Sequence, residues 1–140
     1  MQFHHLGIAV PAASAFSGLL TVFGFVPAGS GVVESFRCRC DFFQGPNQLI
    51  ELVEPLPGEG PIRDWIAHNG AGLHHIAFEV PDLMAAIRST MRAGISFQSR
   101  IERGALPNMY VTFCDRRTTA DLLIELVEFR HESGNKENRE

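Results

Sequence analysis

The sequence contains an internal repeat, which constrains the fold more than any other feature of the chain. Residues 4–11 (HHLGIAVP) return 70 positions later as residues 74–81 (HHIAFEVP), and residues 49–54 (LIELVE) return unchanged at 123–128. The offset is 70 in the first motif and 74 in the second, which implies a four-residue insertion between them. A repeat that keeps its register in this way is typical of duplicated supersecondary modules. We therefore expect two copies of one module.

Each module is predicted to have the element order β-α-β-β-β. Strands at residues 3–10 and 73–80 each end at a proline, and a helical apolar period follows and stops at Gly24 or Gly94. In the first helix the predicted inward residues are Phe16, Leu19, Leu20 and Phe23, and in the second they are Leu83, Ile87 and Met91, with Asp82 as the N-cap. The remaining strands are predicted near residues 31–34, 36–43, 48–54, 97–103, 109–114 and 121–129.

The predicted organisation is one α+β domain over residues 1–130. Module one covers about 3–54 and module two about 73–129, and the linker 55–72 contains a short helix that begins at Pro61. Residues 131–140 are polar, without an apolar period, and are predicted to be a flexible tail.

Composition narrows the classes of function. The formal charge of −4 is spread along the chain, so we expect no nucleic-acid partner, and no apolar run is long enough for a membrane span. Three cysteines favour a reducing, cytoplasmic location. Cys38 and Cys40 share one strand face, which is compatible with a soft-metal pair, although two small half-buried residues are the simpler interpretation.

Four residues of metal-ligand type recur in the repeat: each module contributes one histidine and one glutamate. The histidines are His5 and His75, and the glutamates are Glu51 and Glu125, each inside an apolar strand. An unpartnered buried carboxylate costs several kcal/mol, and a bound cation removes that penalty. Strand alternation puts His5 on the face of the small residues Gly7 and Ala9.

The same alternation assigns the neighbouring histidines to another role. It places His4 on the opposite face of its strand, which meets the helix. We expect His4 and His74 to be structural, or to orient the ligands from behind.

With these motifs the chain resembles the vicinal oxygen chelate superfamily, which includes glyoxalases, bleomycin-resistance proteins and dioxygenases. Within it, residues 50–55 (IELVEP), 72–80 (GLHHIAFEV) and 123–128 most resemble methylmalonyl-CoA epimerases. The resemblance implies that two paired βαβββ modules form a cup-shaped mixed sheet around one divalent metal (Co, Zn, Ni, Mn or Fe).

The resemblance also implies a metal site and a reaction. The ligands would be His5, Glu51, His75 and Glu125, and the protein would be a metal-dependent isomerase that stabilises an enolate of a small-molecule substrate, such as an acyl-CoA. A homodimer is also implied. The glutamate that acts as a base in the epimerases aligns with Cys40, so Glu125 is the tentative catalytic residue.

Three other functions remain open at this stage. A glyoxalase I-like lyase shares the His/Glu/His/Glu set, and an extradiol dioxygenase-like enzyme would use two histidines and one carboxylate. A bleomycin-resistance-type binding protein would need no metal. Arg116 and Arg117 could contact CoA phosphates, but a solvated surface pair is the simpler interpretation.

Overall fold

The computed structural model describes residues 1–131 of the chain, and within this part it contains three α-helices and one eight-stranded sheet. The elements in chain order are β1 (Gln2–Ala9), α1 (Ala13–Val22), β2 (Val26–Val33), β3 (Cys38–Gln44), β4 (Leu49–Pro55), α2 (Pro61–Asn69), β5 (Gly72–Glu79), α3 (Leu83–Arg92), β6 (Glu102–Arg103), β7 (Met109–Phe113) and β8 (Ile124–Phe129).

The two modules join through their first strands. The strand order is β2-β3-β4-β1-β5-β8-β7-β6, with β1 and β5 antiparallel at the centre. On either side, β1 pairs in parallel with β4 and β5 pairs in parallel with β8. The sheet is therefore mixed and pseudo-symmetric, and it curls into a cup. The predicted α+β fold class is confirmed.

Strand alternation gives the sheet an inner and an outer apolar layer. Inside the cup, Val53 and Val127 belong to one buried cluster with residues of β3 and β7. Outside, Leu52 packs in a cluster with Leu20 of α1, and Leu126 packs in another cluster with Leu83 of α3. Residues of opposite parity on β4 and β8 thus face the site and the helices respectively.

The last glutamate of each LIELVE motif binds the start of a helix. The Ala13 backbone N–H donates to Oε1 of Glu54 over 3.2 Å, and the Leu83 N–H donates to Oε2 of Glu128 over 2.9 Å. A carboxylate at a helix N-terminus satisfies a free donor and complements the helix dipole. This matters most for α1, whose N-cap residue Ala12 offers no side-chain acceptor.

Several predicted element boundaries are wrong. β2 begins at Val26, not at residue 31, because its first half is an exposed edge strand without apolar alternation. Glu34 lies in a 3₁₀ turn after that strand. β6 is limited to Glu102–Arg103. β8 begins at Ile124, because Ala120 and Asp121 have positive φ and extend the preceding turn.

The predicted inward stripes of the helices are only partly correct. Leu20 and Leu83 are buried, but Leu19, Phe23 and Met91 are 43%, 66% and 57% exposed. In α1 the buried residues are Ala13 and Leu20, and in α3 the buried residue is Leu83, so the face that meets the sheet is narrower than the predicted stripe. The predicted N-cap at Asp82 is confirmed by a 3.0 Å bond from the Ala85 N–H.

The domain and module boundaries stay predictions. Apart from His131, the predicted flexible tail lies outside the described residues. Within residues 1–131, no helix has the length and apolar character that a membrane span requires.

Candidate metal centre

The four predicted ligands come together on the floor of the cup. His5 lies on β1, His75 on β5, Glu51 on β4 and Glu125 on β8, and each is at most 5% exposed. One ligand atom from each residue lies within 4.8 Å of the other three. The four central strands thus contribute one donor each.

The distances within the cluster suit a single cation. His5 Nε2 lies 2.6 Å from Glu51 Oε2 and 3.0 Å from His75 Nε2. Glu125 Oε1 lies 3.6 Å from His5 Nε2 and 4.0 Å from His75 Nε2. Ligands bonded at about 2.0–2.2 Å to one ion lie about 3–4 Å apart, so small side-chain adjustments would complete the shell.

A glycine makes room for one of the imidazoles. Gly7 pairs with both Glu51 and His75 in the sheet register, and a Cβ added to Gly7 would lie 2.1 Å from Cε1 of His75. The residue of module two that corresponds to Gly7 is Ala77, which pairs with His5 and is fully buried. The space beside Gly7 is thus occupied by the imidazole of His75.

One oxygen of the buried Glu125 carboxylate lacks a hydrogen-bond partner among residues 1–131. Its Oε1 is buried and takes part in no hydrogen bond with any of residues 1–131. Burial raises the pKa of Glu125 to about 8, with the negative charge of Glu51 adding to the effect and His75 opposing it. A divalent cation at the centre would satisfy this oxygen and favour its ionised form. The residues present therefore fit a metal ion.

The other three groups of the cluster affect one another's pKa values. Burial opposes ionisation of Glu51, but hydrogen bonds from His5 and His75 outweigh it and hold the Glu51 pKa far below its usual range. Burial lowers the pKa of His5 despite the Glu51 carboxylate. Burial acts in the same direction on His75, but Glu125 and Glu51 outweigh it and raise the His75 pKa. The metal-free cluster therefore contains one ionised and one largely protonated carboxylate at neutral pH.

A second histidine stands behind each histidine of the cluster. The Nδ1 atoms of His4 and His5 are 2.7 Å apart, and those of His74 and His75 are 2.9 Å apart. Burial lowers the pKa of His4 to about 4 and that of His74 to about 3, so both rings are neutral and able to accept. With a cation bound, a hydrogen bond from Nδ1 of the inner ring to Nδ1 of the outer ring would keep the inner proton on Nδ1 and leave the Nε2 lone pair for the metal.

The predicted orientation of His4 toward the helix is wrong. Its ring lies 5.3 Å from that of Phe129, which packs against the inner cluster of the cup. The cause is a register shift in the β1–β5 pairing between Phe3 and His5, which breaks the strict alternation. His74 is held by an edge-to-face contact with Trp65 of α2, at 5.1 Å.

Aromatic contacts that the sequence did not reveal fix the inner rings. Phe42 packs edge-on against His5 at 5.3 Å, and Phe113 packs in the same way against His75 at 5.7 Å. The repeat could have indicated these contacts, because Phe42 and Phe113 occupy matching places in the two modules, opposite Glu51 and Glu125.

Above the cluster the cup encloses a cavity of about 390 Å³. Its lining is mostly apolar and includes Val33, Phe36, Ile62, Met109 and Val111, with Glu51, His75 and Glu125 at the base. Cys38 and Cys40 form part of the wall. A small molecule that enters this cavity would meet the cluster in a largely dry environment.

The arginine pair near the end of module two is engaged locally. Arg117 donates two bonds of 3.0 and 3.1 Å from Nε to Asp115, and Arg116 donates from Nε to the carbonyl oxygen of Asp121 over 3.0 Å. These contacts order the 3₁₀ turn Arg116–Thr118. Both arginines are thus bonded within their own turn, which agrees with the interpretation that they form a solvated surface pair.

Comparisons with known proteins agree with this geometry. A family model described as the Glyoxalase/Bleomycin resistance protein/Dioxygenase superfamily matches residues 4–113. The uncharacterized protein YqjC of Bacillus subtilis (strain 168) is 29% identical over 133 residues, which are 94% of this chain and 95% of YqjC. The ethylmalonyl-CoA/methylmalonyl-CoA epimerase of Cereibacter sphaeroides is 43% identical over 54 residues, 38% of this chain and 40% of that protein.

The same relationship is visible in three dimensions. The crystal structure of methylmalonyl-CoA epimerase from Mycobacterium tuberculosis superposes with a TM-score of 0.85 at 25% identity, over 93% of this chain and 89% of that one. The family match covers well over half of the sequence and agrees with the cup-shaped sheet. The chain therefore belongs to the glyoxalase/bleomycin resistance protein/dioxygenase superfamily.

Proposed function

We propose that this protein is a divalent-metal-dependent enzyme that removes and returns a proton at the carbon next to a carbonyl group, as in an epimerase. The observation that carries the proposal is the cluster of His5, Glu51, His75 and Glu125 at the base of the cavity, with the Glu125 oxygen lacking a partner among residues 1–131. Co, Zn, Ni, Mn and Fe all accept such a mixture of imidazole and carboxylate ligands.

The metal and the chain would have separate tasks. A cation held by the four side chains would supply Lewis-acid stabilisation of the negative charge that develops as the proton leaves. The apolar walls of the cup exclude water, which strengthens electrostatic interactions at its base. The neutral rings of His4 and His74 hold the inner imidazoles in the tautomer that binds a metal.

We further propose that Glu125 carries the proton. The residue lines the cavity, and a bound cation would keep its carboxylate ionised and therefore able to accept a proton. Cys40 is unsuited to act as a base, because its hydrogen bond with Cys38, together with burial, holds the pKa of its thiol well above the usual value. This leaves a carboxylate of the cluster as the proton carrier.

An acyl-CoA thioester is the proposed class of substrate. Support comes from the relatives, two of which are named as epimerases of methylmalonyl-CoA or of ethylmalonyl-CoA and methylmalonyl-CoA. A homodimer remains a prediction that light scattering would test.

A glyoxalase I-like lyase is the second candidate, because both carboxylates reach the cluster and give a two-histidine, two-glutamate set. Such an enzyme also moves a proton next to a carbonyl group, but in a hemithioacetal. The two candidates share the metal centre and differ in substrate.

Proton exchange in D₂O separates these candidates. The metal-loaded protein is incubated with a panel of acyl-CoA thioesters and, separately, with a hemithioacetal, and deuterium at the α-carbon is followed by NMR. We expect exchange in at least one acyl-CoA, abolished in His75→Ala and strongly reduced in Glu125→Gln. Exchange with the hemithioacetal alone would favour the lyase. Exchange that persists unchanged in both variants would contradict the proposed site.

A further inference from the structure

We propose that Cys38 and Cys40 form a dithiol site in the wall of the cup, and that this site binds a monosubstituted trivalent arsenical through both sulfur atoms. The site lies beside the four-residue cluster in the same cavity, and it does not depend on the proposed enzymatic function.

The geometry of the pair points to a bridging atom. Cys38 and Cys40 alternate with Arg39 on β3, so both side chains face the cavity, and their Sγ atoms are 3.8 Å apart. A trivalent arsenic atom is pyramidal and holds its two sulfurs slightly closer together than this. Small rotations about χ1 of the two cysteines would therefore close a bridge without a change in the strand.

The surroundings disfavour a thiolate metal site. The positions of β7 that correspond to the two cysteines in the sheet register are Met109 and Val111, so module two supplies no further thiol. The third cysteine, Cys114, follows β7 and is not part of the cavity lining. Two sulfurs leave a zinc ion short of its usual four ligands.

Charge leads to the same conclusion. On the inner face of the sheet, Cys40 is a diagonal neighbour of Glu51, because Cys40 pairs with Val53 and Glu51 pairs with Phe42. A trivalent arsenic atom with one organic substituent needs only two sulfurs, and its dithiol adduct is neutral.

The chemical step balances without an oxidant. An organoarsenic(III) oxide condenses with the two thiols: both S–H bonds break, two As–S bonds form, and the oxygen leaves with the two protons as water. Arsenic stays trivalent throughout. The organic substituent would then project into the apolar cavity and obstruct access to its base.

The test uses phenylarsine oxide with the purified full-length protein. Intact mass spectrometry counts adducts, and displacement by an excess of a monothiol measures how firmly each is held. We expect one adduct per chain in the wild type and in the matched control Cys114→Ala. In Cys38→Ala and Cys40→Ala the arsenical should be held about 100-fold more weakly or more, because only one As–S bond remains.

Circular dichroism would verify that each variant is folded. If a variant does not fold, arsenic X-ray absorption of the adduct in Cys114→Ala decides the question, and two sulfur neighbours per arsenic support the proposal. One sulfur neighbour, loss of the adduct in Cys114→Ala, or equal retention in all three variants would overturn it.

Discussion

Replacing Glu125 by glutamine should stabilise the metal-free protein and weaken its response to metal. Glutamine keeps the size and polarity of the protonated side chain but cannot ionise. In the metal-free cluster, burial raises the pKa of Glu125 from 4.5 to about 8. The folded state therefore retains a proton that the unfolded state releases, and wild-type stability falls as pH rises between these two values.

The magnitude follows from the two pKa values. One unit of pKa difference corresponds to about 1.4 kcal/mol. The proton held by Glu125 should lower the free energy of unfolding of the wild type by about 1 kcal/mol at pH 5 and by about 3 kcal/mol at pH 7. This loss should level off above pH 8. Because Glu125→Gln avoids this loss, its advantage in the free energy of unfolding should grow by about 2 kcal/mol between pH 5 and pH 7.

Urea unfolding in the presence of a chelator measures this advantage at both pH values. Zinc is then added to a free concentration of 100 times the wild-type dissociation constant, which should stabilise the wild type by about 2.7 kcal/mol. The variant should gain much less, because an amide oxygen is a weaker ligand than a carboxylate. The difference in the free energy of unfolding between the variant and the wild type should therefore shrink or change sign when zinc is present.

Glu128→Gln is the matched control for this experiment. It removes a negative charge from the same strand, and its amide oxygen can still accept the Leu83 N–H. We expect the control to show neither the pH-dependent gain nor the lost response to zinc. If metal-free Glu125→Gln is no more stable than the wild type at pH 7, burial does not hold a proton on Glu125 in the folded protein.

Three further predictions concern residues around the cluster. Gly7→Ala should displace the ring of His75 and reduce zinc affinity in calorimetry, and unchanged affinity would show that the ring can move freely. His74→Phe should weaken zinc binding by about 10–100-fold, since the bond to Nδ1 of His75 is lost, whereas His74→Asn should retain part of the affinity. Glu54→Leu should lower the free energy of unfolding by about 1 kcal/mol through loss of the α1 cap, with Glu54→Gln as the milder control in urea unfolding.

The sequence predicted the cluster well because the duplication and the strand period both act on it. Each repeat contains one histidine and one glutamate inside an apolar strand, and alternation selects His5 from the His4–His5 pair. Pairing of β1 with β5 then brings the two halves together, as duplicated modules allow. These features depend on local pattern and symmetry, which a single sequence contains.

Other features depend on tertiary detail and could not be read from the pattern. The register shift between Phe3 and His5 turns His4 toward the cup, and nothing in the local apolar period marks that shift. The start of β2 at Val26 was missed because an edge strand with exposed side chains has no hydrophobic alternation. The contact of Trp65 with His74 joins the linker helix to module two and depends on how the linker folds back.

The repeated hexapeptide LIELVE connects the cluster to the helices of both modules. Its two glutamates are three positions apart, and an odd spacing in a strand sends them to opposite faces of the sheet. Glu51 and Glu125 therefore point into the cup, while Glu54 and Glu128 reach the N-termini of α1 and α3. A one-residue insertion between the two glutamates would put both on the same face. Either a ligand or a helix cap would then be lost, so one short motif accounts for both the site and the docking of its helix.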